Sequence, residues 1–168
     1  VFWDKRIKSF DYGITISEFN NLTELEKDTK IREITFKVLN WIYKGDDLKT
    51  QLISDVQNLM DKYNRSLTIN YKTKETNLYR IDLNFQIRPN NDTSKLITEL
   101  TNKKENNTQQ AILDILDYED LYSLIDKVIL KDGFIVFQPK KSYHAELVAG
   151  KYKKAPLSIN IKSMTENK

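Results

Sequence analysis

The chain has 168 residues, of which 39% are hydrophobic and 30% charged, and its formal net charge is +3. This length and composition predict a single domain over residues 1–168 with one sizeable core. The absence of cysteine excludes disulfides, thiolate metal sites and cysteine nucleophiles, and the single histidine, His144, excludes a zinc site of nitrogen and sulfur ligands. No apolar stretch approaches the roughly 20 residues that a transmembrane helix needs, so no transmembrane segment is predicted within this chain.

The N-terminal residues allow two interpretations. Residue 1 is valine, and Phe2 and Trp3 stand directly before charged residues. The valine predicts a processed chain or a segment cut from a longer protein. The aromatic residues before charge would suit the stub that follows a membrane anchor, but we favour the alternative for them, a first strand or docking segment. The apolar residues that alternate farther along predict an N-terminal strand; they are Phe10, Tyr12, Ile14 and Ile16.

A helical hairpin is predicted next. Thr23 followed by Glu26 is a capping-box pattern that begins a helix, and Gly45 ends it. Asp46 or Asp47 caps the second helix, and so short a connection forces the chain to reverse. Each helix has an apolar stripe that we expect to face the core, with Trp41 as a core residue. The stripes are Ile31, Ile34, Val38 and Trp41 in the first helix, and Leu48, Leu52, Val56, Leu59, Met60 and Tyr63 in the second.

Alternating apolar residues predict an antiparallel β-hairpin over residues 67–87, with one polar face, and Pro89 ends its second strand. Residues 89–108 are polar and predict a loop with one short helical or extended segment, anchored by Leu96, Ile97 and Leu100. A helical region is expected from Thr108 to Ile125, on the spacing of its apolar residues, with a break near Asp117. The fold class that follows is α+β, with the N-terminal strand and the helical hairpin packed on an antiparallel sheet built from β-hairpins, and with this helix inserted.

The C-terminal part contains a second hairpin, because Asp132-Gly133 supplies the positive φ angles of a two-residue turn. Residues 139–156 read as a basic, loop-rich segment, within which residues 143–148 predict a strand. A last strand is predicted by the alternation of Leu157, Ile159 and Ile161.

Common catalytic patterns are missing from the sequence. The four glycines are isolated from one another, which excludes a phosphate-binding loop. An acidic cluster lacks the glycine of a calcium-binding loop and reads as a solvated helix face; it consists of Asp114, Asp117, Glu119 and Asp120. His144 and Glu146 would share a face in a strand and could exchange a proton, but we favour a surface histidine. We therefore predict no catalytic residue, no metal and no cofactor.

Charge is the one asymmetry along the chain. Residues 127–168 contain nine Lys and Arg against three Asp and Glu, a net charge of +6, whereas residues 1–126 carry −3. Cations interleaved with aromatic rings are typical of nucleic-acid binding, although the absence of arginine here weakens specific base recognition. The predicted binding residues are Lys140, Lys141, Tyr143, His144, Lys151, Tyr152, Lys153 and Lys154.

Three functional hypotheses follow. The favoured one is a non-enzymatic protein-binding or assembly module whose partner is another protein, and it predicts an exposed apolar patch or an open sheet edge. The first alternative is a nucleic-acid-binding domain that uses the basic segment, which would also suit an anionic membrane surface; it predicts one continuous basic face. The second alternative is a hydrolase whose carboxylate pair cannot be located from sequence, and it predicts a pocket with convergent carboxylates.

Overall fold

The protein has an α+β fold with antiparallel sheets, as predicted. The computed structural model describes residues 12–89, 93–153 and 155–166. Two compact units make up the chain, Val1–Lys62 and Tyr63–Lys168. Phe2, Trp3 and Phe10 lie outside the described residues, so the predictions for residues 1–11 stay predictions.

The first unit is helical. It contains α1 (Ile16–Asn20), α2 (Glu24–Ile42) and α3 (Asp47–Tyr63). The predicted N-terminal strand is wrong in its described part, because Ile16 begins a helix. The cause is a capping box that the alternation concealed: Thr15 Oγ1 accepts from the Glu18 amide at 3.3 Å, and Glu18 Oε2 accepts from the Thr15 amide at 3.2 Å.

The predicted helical hairpin is confirmed, with both caps. Thr23 and Glu26 form the capping box of α2, where the Thr23 amide donates to Glu26 Oε2 at 2.8 Å. Asp46 Oδ1 accepts from the Lys49 amide at 3.1 Å and caps α3. Gly45 has a φ of +90°, a value that suits glycine, and so permits the reversal between the helices.

The second unit is built on a five-stranded antiparallel sheet with the order β1-β2-β3-β4-β8. Its strands are β1 (Ile69–Glu75), β2 (Tyr79–Gln86), β3 (Ser94–Asn102), β4 (Asn107–Ile115) and β8 (Thr165–Glu166). The predicted hairpin of residues 67–87 corresponds to β1 and β2.

Two predictions for this sheet differ from the structure. The extended segment allowed within residues 89–108 is present, but as the nine-residue strand β3, and the expected helix from Thr108 to Ile125 is wrong at its start, where β4 is found. Most polar side chains of β3 lie among alternating core residues such as Leu96 and Leu100, so they do not mark a loop. In place of the long helix, a 3-10 turn (Tyr118–Asp120) leads into the short α4 (Leu121–Leu124).

A three-stranded antiparallel sheet follows, with the order β5-β6-β7. It consists of β5 (Lys127–Lys131), β6 (Phe134–Gln138) and β7 (Ser158–Asn160). The predicted turn is confirmed: Asp132 and Gly133 have φ values of +51° and +79° and join β5 to β6. The last predicted strand is shorter than expected, because Ile161 begins a 3-10 turn.

The predicted strand over residues 143–148 is wrong, since these residues belong to α5 (Tyr143–Gly150). Ser142 caps this helix by accepting from the Ala145 amide at 3.2 Å. Ala145 and Val148 are both buried, at the spacing of three that a helix requires. The core of this unit is formed by both sheets with α4 and α5; its fully buried members include Ile81, Leu83, Leu96, Ile115, Ile135 and Phe137.

Candidate functional site

The predicted basic binding residues fall into two groups. Lys140, Lys141 and Lys153 are exposed, and so are Tyr143 and His144 in the first turn of α5. Tyr143 is the most open of the aromatic side chains here, at 75% exposure. Lys154 lies outside the described residues. The side chains of this first group are accessible to an anionic partner, so the nucleic-acid alternative stays a prediction.

Lys151 and Tyr152 form the second group, which is tied into the fold. Both converge on Asp120, a buried carboxylate at the end of the 3-10 turn. The Tyr152 hydroxyl donates to Asp120 Oδ2 at 2.8 Å, and Lys151 Nζ donates to Oδ1 at 2.9 Å. Burial, reinforced by the hydrogen bond to Asp120, raises the pKa of Tyr152 well above its ordinary value. The Tyr152 ring is therefore half-buried with its hydroxyl engaged, whereas Lys151 still exposes half of its side chain.

The proposed proton exchange between His144 and Glu146 does not fit the structure. It required a strand, in which residues two apart share a face. In the helix α5 the two residues are separated by about 200° around the axis. They therefore point in opposite directions.

A carboxylate pair lies on the polar face of the five-stranded sheet. Asp82 on β2 is the direct cross-strand neighbour of Glu99 on β3. Arg80 Nε donates to Asp82 Oδ2 at 2.7 Å and Thr73 Oγ1 donates to Oδ1 at 2.6 Å. Burial alone would raise the pKa of Asp82, but these hydrogen bonds outweigh it and hold the pKa below its ordinary value. Asp82 is thus an ionised hydrogen-bond acceptor at neutral pH, which does not suit a general acid.

The apolar stripes of the helical unit are where structure and prediction differ most. Leu48, Leu52, Val56 and Leu59 are all exposed; we call these four residues the α3 stripe. Leu52 exposes 62% of its surface. At 100° per residue the four residues lie within an arc of about 80°. They form a continuous aliphatic row along the helix.

A different face of α3 is buried. Ile53 is its buried residue, about 100° around the helix from the centre of the α3 stripe. Phe36 is the buried residue of α2. Arg32 links the two helices, because its Nη1 donates to the Met60 carbonyl at 3.4 Å and its Nη2 lies 3.8 Å from Asp61 Oδ1. The contacts that Arg32 makes between the helices therefore lie outside the α3 stripe.

The stripe of α2 is also partly exposed. Ile31 and Trp41 are exposed, Trp41 at 60%, and Ile34 and Val38 are half-buried. The prediction that Trp41 is a core residue is wrong. Of the remaining predicted residues of the second helix, Met60 is half-buried and Tyr63 is exposed. The spacing located the stripes, but spacing alone does not show whether a stripe meets the core or solvent.

Charge around the helices is mixed. Residues 12–62 carry seven Lys and Arg against nine Asp and Glu, a net charge of −2. A surface with so small a net charge does not strongly repel a second surface of the same kind.

Comparison of the chain with protein families, with curated proteins and with solved structures finds no match. Over the described residues, no helix combines the length and the apolar character needed to cross a membrane. The same part of the chain contains no cluster of three or more His, Cys, Asp or Glu side chains suited to a metal ion.

Proposed function

We propose that the chain is a non-enzymatic protein-binding and assembly module, in which the α3 stripe binds a second copy of the chain. The observation that carries the proposal is the aliphatic row itself. Burying apolar side chains contributes about 25 cal/mol per Å² of surface removed from water, so four adjacent exposed aliphatic side chains favour association.

The spacing of the α3 stripe suits a helix as its binding partner. Successive stripe residues are separated by four, four and three positions, which is close to the spacing at which helices interlock side chains along a seam. A second copy offers the same row, and the small net charge of the helical unit permits the approach. Pairing two copies would cover both rows at once, as in a two-fold symmetric interface.

The test is the oligomeric state of the whole chain as a function of concentration, measured by sedimentation equilibrium. We expect a reversible monomer–dimer equilibrium for the wild type. The double variant Leu52→Gln/Leu59→Gln should weaken it by at least about tenfold, because two aliphatic contacts are lost from each copy. Circular dichroism should show unchanged helix content, since both side chains are exposed.

The matched control is Leu147→Gln on α5. Leu147 is 55% exposed, similar to the stripe leucines, but belongs to the other unit. It should leave the dimerisation constant unchanged. A wild type that remains monomeric at millimolar concentration would contradict the proposal, and so would a double variant that associates like the control.

A further inference from the structure

The strand β4 has an open edge along part of its length. On one side it pairs with β3 from Asn107 to Ile115. On the other side β8 pairs only with Gln109 and Gln110. Across the part of the chain that the structure describes, residues 111–115 have no strand partner on that side.

A groove of about 320 Å³ lies along this edge, between β4 and β7. Its walls include four consecutive residues of β4, 110–113, and all three residues of β7, Ser158–Asn160. Side chains of a strand alternate between its two faces, so a wall of consecutive residues is formed by a strand edge. The groove therefore separates the edges of two strands that belong to different sheets.

The direction of the backbone groups supports this geometry. The Gln110 carbonyl accepts from Thr165 Oγ1 of β8 at 3.3 Å, so it points away from β3. Alternate residues of a strand direct their backbone groups to the same side. The N–H and C=O groups of Ile112 therefore point to the groove, and those of Asp114, which lies just beyond the lining residues, point to the same side of β4.

The same reasoning applies to β7. The Leu157 carbonyl accepts from the Phe137 amide of β6 at 2.9 Å, which directs the backbone groups of Ile159 toward β6 and those of Ser158 and Asn160 away from it. Asn160 already uses its carbonyl, which accepts from Ser163 Oγ at 2.7 Å. Ser158 thus provides the backbone donor and acceptor on the β7 side.

The opposite edge of the five-stranded sheet is formed by β1 and is protected against pairing with another chain, unlike the open edge of β4. A register shift between Asn70 and Lys72 marks a bulge in β1. Lys72 Nζ donates to the Asp126 carbonyl at 2.6 Å, and Lys74 Nζ donates to the Val128 carbonyl at 2.7 Å. Bulges and lysines are devices by which edge strands avoid pairing with other chains.

None of these devices is found at the groove. All its lining residues are uncharged: Gln110, Ala111, Ile112, Leu113, Ser158, Ile159, Asn160, Ser163 and Thr165. The nearest charged residue of β4, Asp114, is ion-paired with Lys95 of β3.

We propose that this groove binds an extended, uncharged peptide segment of a partner protein, which adds as a strand between β4 and β7. An extended backbone carries donors and acceptors on both edges, so one segment can satisfy β4 on one side and Ser158 on the other. Five residues would span the open part of β4. Small or apolar side chains suit the uncharged walls. This site is separate from the α3 stripe, and either can exist without the other.

The test uses the full chain labelled with ¹⁵N and a synthetic probe. The probe is a pool of N-acetylated, C-amidated pentapeptides in which every position varies among Ala, Ser, Thr, Val and Gln. The control pool has the same composition but carries a backbone N-methyl group at every second residue, which removes the hydrogen-bond donors of one edge. We expect saturable shifts of the Ile112, Asp114 and Ser158 amide resonances with the first pool and at least about tenfold weaker binding of the second.

A variant of the protein provides an independent check. Ile112 is 57% exposed, so Ile112→Lys should fold while placing a lysine beside the open edge, and it should weaken the pool's binding by about tenfold. Leu147→Lys, at a similarly exposed position on α5, should leave the binding of the pool unchanged. Should Ile112→Lys fail to fold, the two pools on the wild type still decide. Absence of selective shifts at millimolar probe, or equal binding of the methylated pool, would overturn the proposal.

Discussion

Tyr152 shows how a residue type that suggests binding can instead hold a fold together. Its hydroxyl donates to the buried Asp120 carboxylate and accepts from the Leu116 amide at 3.1 Å. The side chain thereby connects the end of α5 with the segment that follows β4. Removing it would leave Asp120 with one donor fewer in a buried position, which costs about 1–3 kcal/mol in typical cases.

This hydroxyl gives the stability of the protein a defined pH dependence. The pKa of Tyr152 is raised in the folded state, so the protonated hydroxyl is held more tightly there than in the unfolded chain. The stabilisation is complete below the unfolded pKa of about 10 and is lost as the pH rises above it. Urea denaturation should therefore show that the advantage of the wild type over Tyr152→Phe is constant up to about pH 10 and shrinks as the pH rises above that value.

The control for this measurement is Tyr143→Phe, which removes the hydroxyl of an exposed ring in the first turn of α5. It tests whether the effect belongs to the hydrogen bond with Asp120 and not to the loss of any tyrosine hydroxyl. A wild-type advantage over Tyr152→Phe that grew with pH would contradict the assigned direction of the pKa shift.

At the scale of single elements, the two long helices are held together by few buried side chains. Phe36 and Ile53 are the buried residues of α2 and α3, whereas the apolar stripes of both helices remain largely exposed. Helices of this length gain most of their stability from packing an apolar face. Phe36 and Ile53 are therefore the side chains whose removal should cost the helical unit most in a single copy.

Two substitutions separate the buried face from the exposed one. Phe36→Ala should lower the free energy of unfolding of the helical unit by about 3–5 kcal/mol, enough to unfold it. Trp41→Ala should cost less than about 1 kcal/mol, because most of the indole is already in contact with solvent. Far-UV circular dichroism in urea, at a concentration where the protein is monomeric, measures both. Equal losses of unfolding free energy in the two variants would contradict the exposure of Trp41.

Element types were predictable where local hydrogen bonds decide them. The Thr23 capping box and the Asp132-Gly133 turn act over four residues or fewer, and both are found as predicted. The sequence of β4 predicts a helix because Ile112, on the outer face of the strand, combines with Ile115 and Leu116 at helical spacing. The outer position of Ile112 depends on pairing with β3, which the sequence does not display.

At the scale of the whole molecule, burial is distributed unevenly between the two units. The core cluster lies in Tyr63–Lys168, where residues of β2 and β3 are fully buried. The described residues of Val1–Lys62 include two buried apolar side chains. Local stability follows the density of buried contacts, so the helical unit should open more readily.

Native-state hydrogen exchange measures this difference directly. Amides of β2 and β3 should exchange most slowly, and those of α2 and α3 should exchange by opening at a lower free energy. Dilution that dissociates the proposed dimer should increase exchange in α3 and leave β3 unchanged. Exchange in α3 as slow as in β3 at the lowest concentration would contradict this view.

Only part of each candidate site can be predicted from the sequence, because the sequence does not show how its elements pair and pack. The positions of the α3 stripe follow from its spacing, but its exposure depends on which face of α3 contacts α2. The groove between β4 and β7 joins residues about fifty positions apart in the chain, and no local pattern indicates it. The basic segment was visible from composition, but the engagement of Lys151 by Asp120 required the three-dimensional arrangement.

The bulge and the lysines of β1 also bear on how the protein behaves when many copies are crowded together. Fibre growth along a sheet requires every copy to present two edges that can accept a neighbour, since a copy with one usable edge terminates the series. Lys72 and Lys74 leave the five-stranded sheet with one such edge, at β4. A strand seated between β4 and β7 would have a neighbour on each side and would offer no template for the next copy. Edge-to-edge association of folded copies through this sheet should therefore end in a closed complex and not in an open fibre.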